Sequence, residues 1–215
     1  MKQNYEVIEK PEDVKYLDAM LLDKNGRILL HPSEFYRAIP RIHLRTWCYN
    51  QARYSLPTIE MVEWIKSRIN GRSAIEIGTG NGDLGFHLGI RETDSYCQQK
   101  LEVLLYYAMH AQKPTNPRQE VEKIDAIDAI KKYKPDVVVG SWITQKNRGN
   151  DPSGNMYGPE EEIIISLAKT YIHVGNTQPH DSKRILAISH ETIQPPWIIS
   201  RARRPEDDII WVWDW

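Results

Sequence analysis

Strands that look buried, alternating with helices, predict an α/β sandwich with helices on both faces of a mostly parallel sheet. Two observations carry that expectation. Ala74-Ile75-Glu76-Ile77 and Val137-Val138-Val139 are short, β-branched runs without polar alternation, as in strands covered on both sides. Around them, Met61, Val62, Ile65 and Ile69, and later Leu101, Leu104, Leu105, Ala108 and Met109, recur three and four residues apart, the period of a helix with one apolar side. The 215 residues suffice for one large domain or two small ones, and 40% of them are hydrophobic, enough for a sizeable core. A net charge of −1 excludes a global basic field that would hold nucleic acid without specificity.

Each element follows from local signals. Residues 1–55 look irregular, with a turn at Asp23-Lys24-Asn25-Gly26. Thr58 is a suitable cap for a helix over 57–69, which Asn70-Gly71 ends. The strand at 74–77 runs into a glycine-rich turn, a short helix from about Asn81 to Gly89, and a second strand over Ile90–Asp94. A helix over about 98–112 stops before Pro114 and Pro117. Val121–Asp125 reads as a third strand, followed by a helix around Ile127, Ile130 and Lys131, and Val137–Val139 as a fourth strand. After a polar loop over 144–158, Pro159 and three glutamates open a helix that runs to about Lys169. Tyr171–Val174 is the fifth strand, and Trp197–Ile199 is expected to pair with Ile209–Trp213 as an antiparallel hairpin. The expected division is an N-terminal extension or lid over 1–56 and one α/β domain over 57–215.

The chemistry concentrates in Glu76-Ile77-Gly78-Thr79-Gly80-Asn81-Gly82. Glycines at alternate positions let the backbone turn after a strand and approach a ligand closely, and the following helix is expected to offer free N–H groups. A nucleoside ligand also needs its ribose diol held by an acid at the end of the next strand. Asp94, eighteen residues past Glu76, is placed for this, with Glu92 in reserve. Gly80-Asn81-Gly82-Asp83-Leu84-Gly85 also fits the dinucleotide pattern G-x-G-x-x-G, so a nicotinamide cofactor stays open.

Glu76-x-Gly78-x-Gly80-x-Gly82 resembles motif I of class I S-adenosylmethionine (SAM)-dependent methyltransferases, and the order of motifs continues over about 73–175. The resemblance implies a Rossmann-like three-layer sandwich with seven mostly parallel strands and a C-terminal antiparallel hairpin. It implies SAM as cofactor, held by Glu76, Gly78, Gly80, Asn81 and Gly82, with Asp94 on the ribose, Asp125-Ala126 beside the adenine and Gly140 at the end of strand 4. It places Ser141 and Trp142 facing the methyl group as candidate catalytic residues, and Glu76 near the cationic methionyl end. The implied activity is methyl transfer to an acceptor left open among small molecule, protein and nucleic acid. A non-catalytic binding protein of the same fold is the rival from another class. Gly140-Ser141-Trp142-Ile143 departs from the Asn/Asp-Pro-Pro-aromatic pattern of amino-methylating nucleic-acid enzymes. No Cys stands in a Pro-Cys setting, which removes support for a thiolate route to cytosine C5.

Other signals have plainer readings. Arg37, Arg41, Arg45 and Arg53 interleave with Tyr36, Trp47, Tyr49 and Tyr54; packing and ion pairing explain this better than a nucleic-acid lobe. Arg201, Arg203 and Arg204 read as the polar tip of the hairpin. His180-Asp181 and His190-Glu191 lack metal-ligand spacing, so no metal is expected. Trp142 suits either stacking on a planar substrate or capping the core, and Asn155–Gly158 suits either a lid or an ordinary loop. The apolar runs are too short to span a bilayer, and residues 1–14 lack a secretory signal's apolar stretch, so a cytoplasmic protein without a membrane anchor is expected.

Overall fold

A computed structural model of the chain describes residues 11–149 and 154–215. The first ten residues, read for a signal, and the centre of the 144–158 loop lie outside the described residues. In chain order the helices and strands are α1 (Leu17–Leu21), α2 (Ser33–Arg37), α3 (Arg41–Asn50), β1 (Ser55–Leu56), α4 (Ile59–Ile69), β2 (Ala74–Ile77), α5 (Leu84–Leu88) and β3 (Arg91–Asp94). They continue with α6 (Leu101–Met109), β4 (Glu122–Lys123), α7 (Ala126–Tyr133), β5 (Val137–Ser141), α8 (Glu161–Leu167), β6 (Thr170–Asn176), α9 (Thr177–His180), β7 (Glu191–Ile193), β8 (Ile199–Ser200) and β9 (Asp208–Asp214).

Among the described residues, seven strands form one sheet in the order β4-β3-β2-β5-β6-β9-β7. The first five run parallel, and β9 is antiparallel to both β6 and β7. Alternation along the strands splits the core in two. Val137, Val139, Ile172 and Val174 face α4 and α5 through Met61, Val62, Ile65, Leu84 and Leu88. Ile75, Ile77, Val138, Tyr171 and Trp213 face α7 and α8 through Ala129, Ile130, Ile164 and Ile165. This is the Rossmann-like three-layer α/β sandwich with a C-terminal antiparallel edge.

The Thr58 cap holds as expected: its hydroxyl accepts from Met61 N at 3.1 Å, and Asn70 ends α4 in the left-handed conformation. Three expectations are corrected. Trp197–Ile199 does not pair with β9; Glu191–Ile193 does, while Ile199–Ser200 crosses to Ser55–Leu56 as a separate two-stranded sheet. Residues 11–55 are not irregular: α1, α2 and α3 enclose a core of Leu17, Leu21, Tyr36, Leu44 and Trp47, which β8 joins through Ile199. The expected amphipathic helix over 98–112, α6, buries none of its residues: Leu101, Leu105 and Met109 are exposed, and Val103, Leu104 and Tyr107 are half-buried.

Candidate functional site

The sheet's direction of growth reverses between β2 and β5: from β2 it proceeds to β3 and β4, from β5 to β6. Ligands of open α/β sheets bind outside the carboxyl ends of the strands at such a point. A cavity of about 510 Å³ opens there. Its wall includes Glu76, Gly78, Thr79, Gly80 and Asn81 after β2, Asp94 after β3, Asp125 and Ala126 after β4, and Ser141 and Trp142 after β5. Nine of the eleven candidate residues therefore meet in one space. Gly82 and Gly140 do not line it. A Cβ on Gly82 would lie 2.8 Å from Val121 and 2.9 Å from the Glu92 carboxylate, and one on Gly140 2.9 Å from Ile143 and from the Tyr171 hydroxyl, so both serve close packing.

Asp94 and Gly80 are joined: Gly80 N donates to Asp94 Oδ2 at 2.9 Å, and Tyr96 N donates to Oδ1 at 2.7 Å. Each carboxylate oxygen keeps a second lone pair for a ligand hydroxyl. Burial raises the pKa of Asp94 against these two bonds. Gly80 has φ +60°, and a Cβ there would sit 3.0 Å from Thr115, so strain and contact both exclude a side chain. Asp125 caps α7, accepting from Ile127 N at 2.9 Å. Asn81 ties the turn to its surroundings, donating to Gln51 O at 3.1 Å and accepting from Asn116 N at 2.8 Å.

The start of α5 differs from the expectation of free amides. Gly85 N donates to Glu76 Oε2 at 2.8 Å, and Phe86 N donates to Glu92 Oε1 at 3.1 Å. Thr79 Oγ1 also donates to Glu76 Oε2. Two buried carboxyls thus occupy the positive end of the helix from beneath. Glu76 borders the cavity but is only 1% exposed, so its first task is holding the turn against α5. Glu92 does not line the cavity, so of the two acids on β3 Asp94 is the one that faces it. Burial pushes Glu76 up to about 8, with the Glu92 charge adding to the shift, and pushes Glu92 up to about 7.

These shifts carry a sign. An acid whose folded pKa is raised stabilises the fold below its unfolded value, near 4.5, and that contribution is lost as pH rises through the folded pKa. Buried His180, lowered to about 3, acts oppositely: the unfolded chain takes up its proton below about 6.5 and the fold does not. Between about pH 6.5 and 8 only the acids of this set act, so the melting temperature is expected to fall across that window. Glu76→Gln keeps an acceptor for Gly85 N and is expected to flatten the decline. A parent melting temperature that rises from pH 6.5 to 8 contradicts this account.

Residues 11–56 close one side of the cavity through Ala52, Arg53, Tyr54 and Ser55. Asp83 anchors them. It receives Arg53 Nε at 2.9 Å, ion-pairs Arg118 Nη2 at 3.1 Å, and accepts Ile28 N at 3.2 Å. Arg53 also donates to Gly26 O, and Arg41 and Arg45 donate to backbone carbonyls at 201–203. Tyr36 and Trp47 are core residues. The plainer reading of the Arg-aromatic stretch therefore holds for these residues.

Ser141 Oγ lies 2.9 Å from Ser55 Oγ. Trp142 has φ +58°, an uncommon conformation for a bulky residue and one that clusters at functional sites. Its ring contacts Tyr54, at 5.9 Å, and His180, at 5.5 Å, and its buried Nε1 has no hydrogen-bond partner among the described residues. Trp142 thus lines the cavity while packed at a tilt against Tyr54 and edge to face with His180. Asn155, Met156, Tyr157 and Gly158 do fold over the cavity, and Tyr157 OH donates to Glu102 Oε1 of α6. Sequence reasoning left Asn155–Gly158 open as lid or ordinary loop and missed this contact, which joins a loop to a helix 55 residues away. It also missed the buried group behind Trp142. There Glu161, expected as a dipole-facing surface acid, is fully buried, receiving Lys183 Nζ and, at 2.8 Å, Tyr171 OH. His190 contacts Ile188 O at 2.7 Å. Among the described residues no three His, Cys, Asp or Glu side chains stand together as a metal site, and no helix is long and apolar enough to cross a membrane.

No family model matches the chain, and no curated protein matches it in sequence. Among solved structures it is similar to a SAM-dependent methyltransferase from Agrobacterium tumefaciens, at 9% identity and TM-score 0.37, over 73% of this chain and 61% of that one. It is similar to an rRNA methylase from Streptococcus thermophilus, at 10% identity and TM-score 0.39, over 72% and 94% of the respective chains. A third is the Pyrococcus abyssi tRNA (uracil-54, C5)-methyltransferase in complex with S-adenosyl-L-homocysteine (SAH), at 10% identity and TM-score 0.36, over 72% and 36%. The chain thus spans less than two thirds of the first and third of these proteins. Scores this low transfer no function, and the strand order and cavity of this chain carry the reading instead.

Proposed function

We propose that the chain is a methyltransferase that binds SAM in this cavity and passes its methyl group to an acceptor. The observation that carries this reading is the start of α5. A dinucleotide places its pyrophosphate on free amides at the helix start. Here Gly85 N and Phe86 N are already bonded to Glu76 and Glu92. Asp83 lies beside them, committed to Arg53 and Arg118. With those two amides taken, the start of α5 does not offer them to a pyrophosphate, and the reading favours a ligand without one, such as SAM. In the proposed arrangement the Gly78–Gly80 turn receives the methionyl part, Asp94 accepts the ribose hydroxyls, and Asp125-Ala126 border the adenine. The residues present thus fit the cofactor.

The bound group supplies an activated methyl on a positively charged sulfur. The protein's part is mostly placement, since displacement requires the acceptor atom in line with the carbon–sulfur bond. Ser141 and Trp142, at the end of β5, fix the wall opposite that atom. Ser141 is held by Ser55 and Trp142 by Tyr54 and His180. The roof of α6 and Asn155–Gly158 limits water.

A ligand that binds only the folded state stabilises it, by about 2.7 kcal/mol at one hundred times its dissociation constant. SAH and SAM are therefore each expected to raise the melting temperature, and NAD to leave it unchanged. A shift with NAD alone sinks the proposal.

A further inference from the structure

The acceptor half of the cavity has a charge character of its own. Arg53 is the one basic residue among the described lining residues, and its guanidinium is spent on Asp83, Gln51 O and Gly26 O. Glu102 stands on the α6 side of the cavity, while Asp94 and Asp125 border the part proposed for the nucleoside. A phosphate-bearing acceptor entering there meets the Glu102 carboxylate and, among the described lining residues, no unspent cation, whereas nucleic-acid binders meet phosphates with Lys and Arg. The rings at the α6 side, Tyr106, Tyr107 and Tyr157, offer electron-rich faces, which attract ammonium groups.

The chain itself displays such a pairing. Lys100 Nζ lies over the Tyr157 ring, 4.4 Å from its centre, and the Tyr157 hydroxyl donates to Glu102. Ring, carboxylate and ammonium meet at the edge of the cavity, the carboxylate from the first turn of α6, the ammonium from Lys100 just before it, and the ring from the 155–158 loop. The Tyr157 hydrogen bond, with Lys100 nearby, holds the Glu102 carboxyl below the ordinary range, so it remains charged.

Resting on the SAM reading of the cavity, we propose that the methyl acceptor is an organic amine, received as its ammonium by Glu102 and the Tyr157 ring in place of the Lys100 side chain. The ammonium gives one proton to solvent, and the freed nitrogen lone pair forms a bond to the methyl carbon. The carbon–sulfur bond breaks with its electron pair going to sulfur, leaving the neutral thioether, and a second proton leaves the methylated nitrogen when the product is released as a free amine. Glu102 and Tyr157 bind and orient.

The test is calorimetric titration of the full chain, with and without SAH, using 2-phenylethylamine, its neutral counterpart 2-phenylethanol, and a short oligoribonucleotide as probes. The amine is expected to bind roughly tenfold tighter than the alcohol, the scale of a cation on a ring and carboxylate. Glu102→Gln should remove that preference, and Tyr157→Ala should weaken it. Lys100→Met should strengthen amine binding several-fold, because the competing ammonium is gone; a mere surface clasp predicts no gain. Equal binding of amine and alcohol, tighter binding of the oligoribonucleotide, or weakening by Lys100→Met each overturns the proposal. Amine binding in a chain that ignores SAH keeps the cation site and fails the cofactor reading; SAH binding without amine preference does the reverse.

Discussion

Asp94→Ala is expected to weaken SAM and SAH binding roughly 10–150-fold. A carboxylate accepting ribose hydroxyls makes charge-assisted hydrogen bonds worth about 1.5–3 kcal/mol each, and every 1.4 kcal/mol is tenfold in affinity. The substitution also costs the empty protein stability. Asp94 also accepts Gly80 N and Tyr96 N, so its truncation strands two loop amides at about 1–3 kcal/mol. Affinity must therefore be measured well below the lowered melting temperature. Asp94→Asn keeps one acceptor oxygen, so it strands one loop amide instead of two and is expected to cost less stability than the alanine. Glu92→Ala is expected to leave affinity within a few-fold, since Glu92 lies under α5 and outside the cavity wall. Calorimetry on the three variants decides the matter, and a sensitive Glu92 beside an indifferent Asp94 rejects the assignment.

The largest loss of stability is expected from Asp83→Ala. Asp83 is the carboxylate on which Arg53 and Arg118 converge, and both Asp83 and Arg53 are buried. Removing one partner of a buried ion pair leaves uncompensated charge and costs about 3–5 kcal/mol. At this chain length each kcal/mol is worth roughly 2–4 °C, so the melting temperature should drop by about 10 °C. A fall of only about 2 °C on thermal denaturation means that Asp83 does not anchor the extension.

The parts of this molecule that were legible in its sequence are those whose signal is local. β2 and β5 are short apolar runs because neighbours cover both of their faces, and α4 announces itself through Thr58 and a four-residue apolar stripe. The glycine turn and Asp94 were legible because close backbone approach and a strand-end acid leave marks in spacing. The C-terminal edge misled for a physical reason. Glu191–Ile193 is an edge strand, largely exposed, with no pattern to read. Ile198 and Ile199 are apolar because they pack against α4 and the N-terminal core. The stripe on α6 has the right period, yet Leu101, Leu105 and Met109 stay exposed among the described residues. The roles of Glu76 and Glu92 at the start of α5, and of Glu161 with Lys183, depend on groups that meet only after folding. No local pattern encodes them.

A crystal structure of the protein with SAH tests the central claim most directly. The account predicts the ribose hydroxyls within hydrogen-bond distance of Asp94, the adenine beside Asp125-Ala126, the homocysteine part along Gly78–Gly80, and the sulfur facing Ser141 and Trp142. SAH bound elsewhere, or a cavity left empty at millimolar SAH, contradicts it.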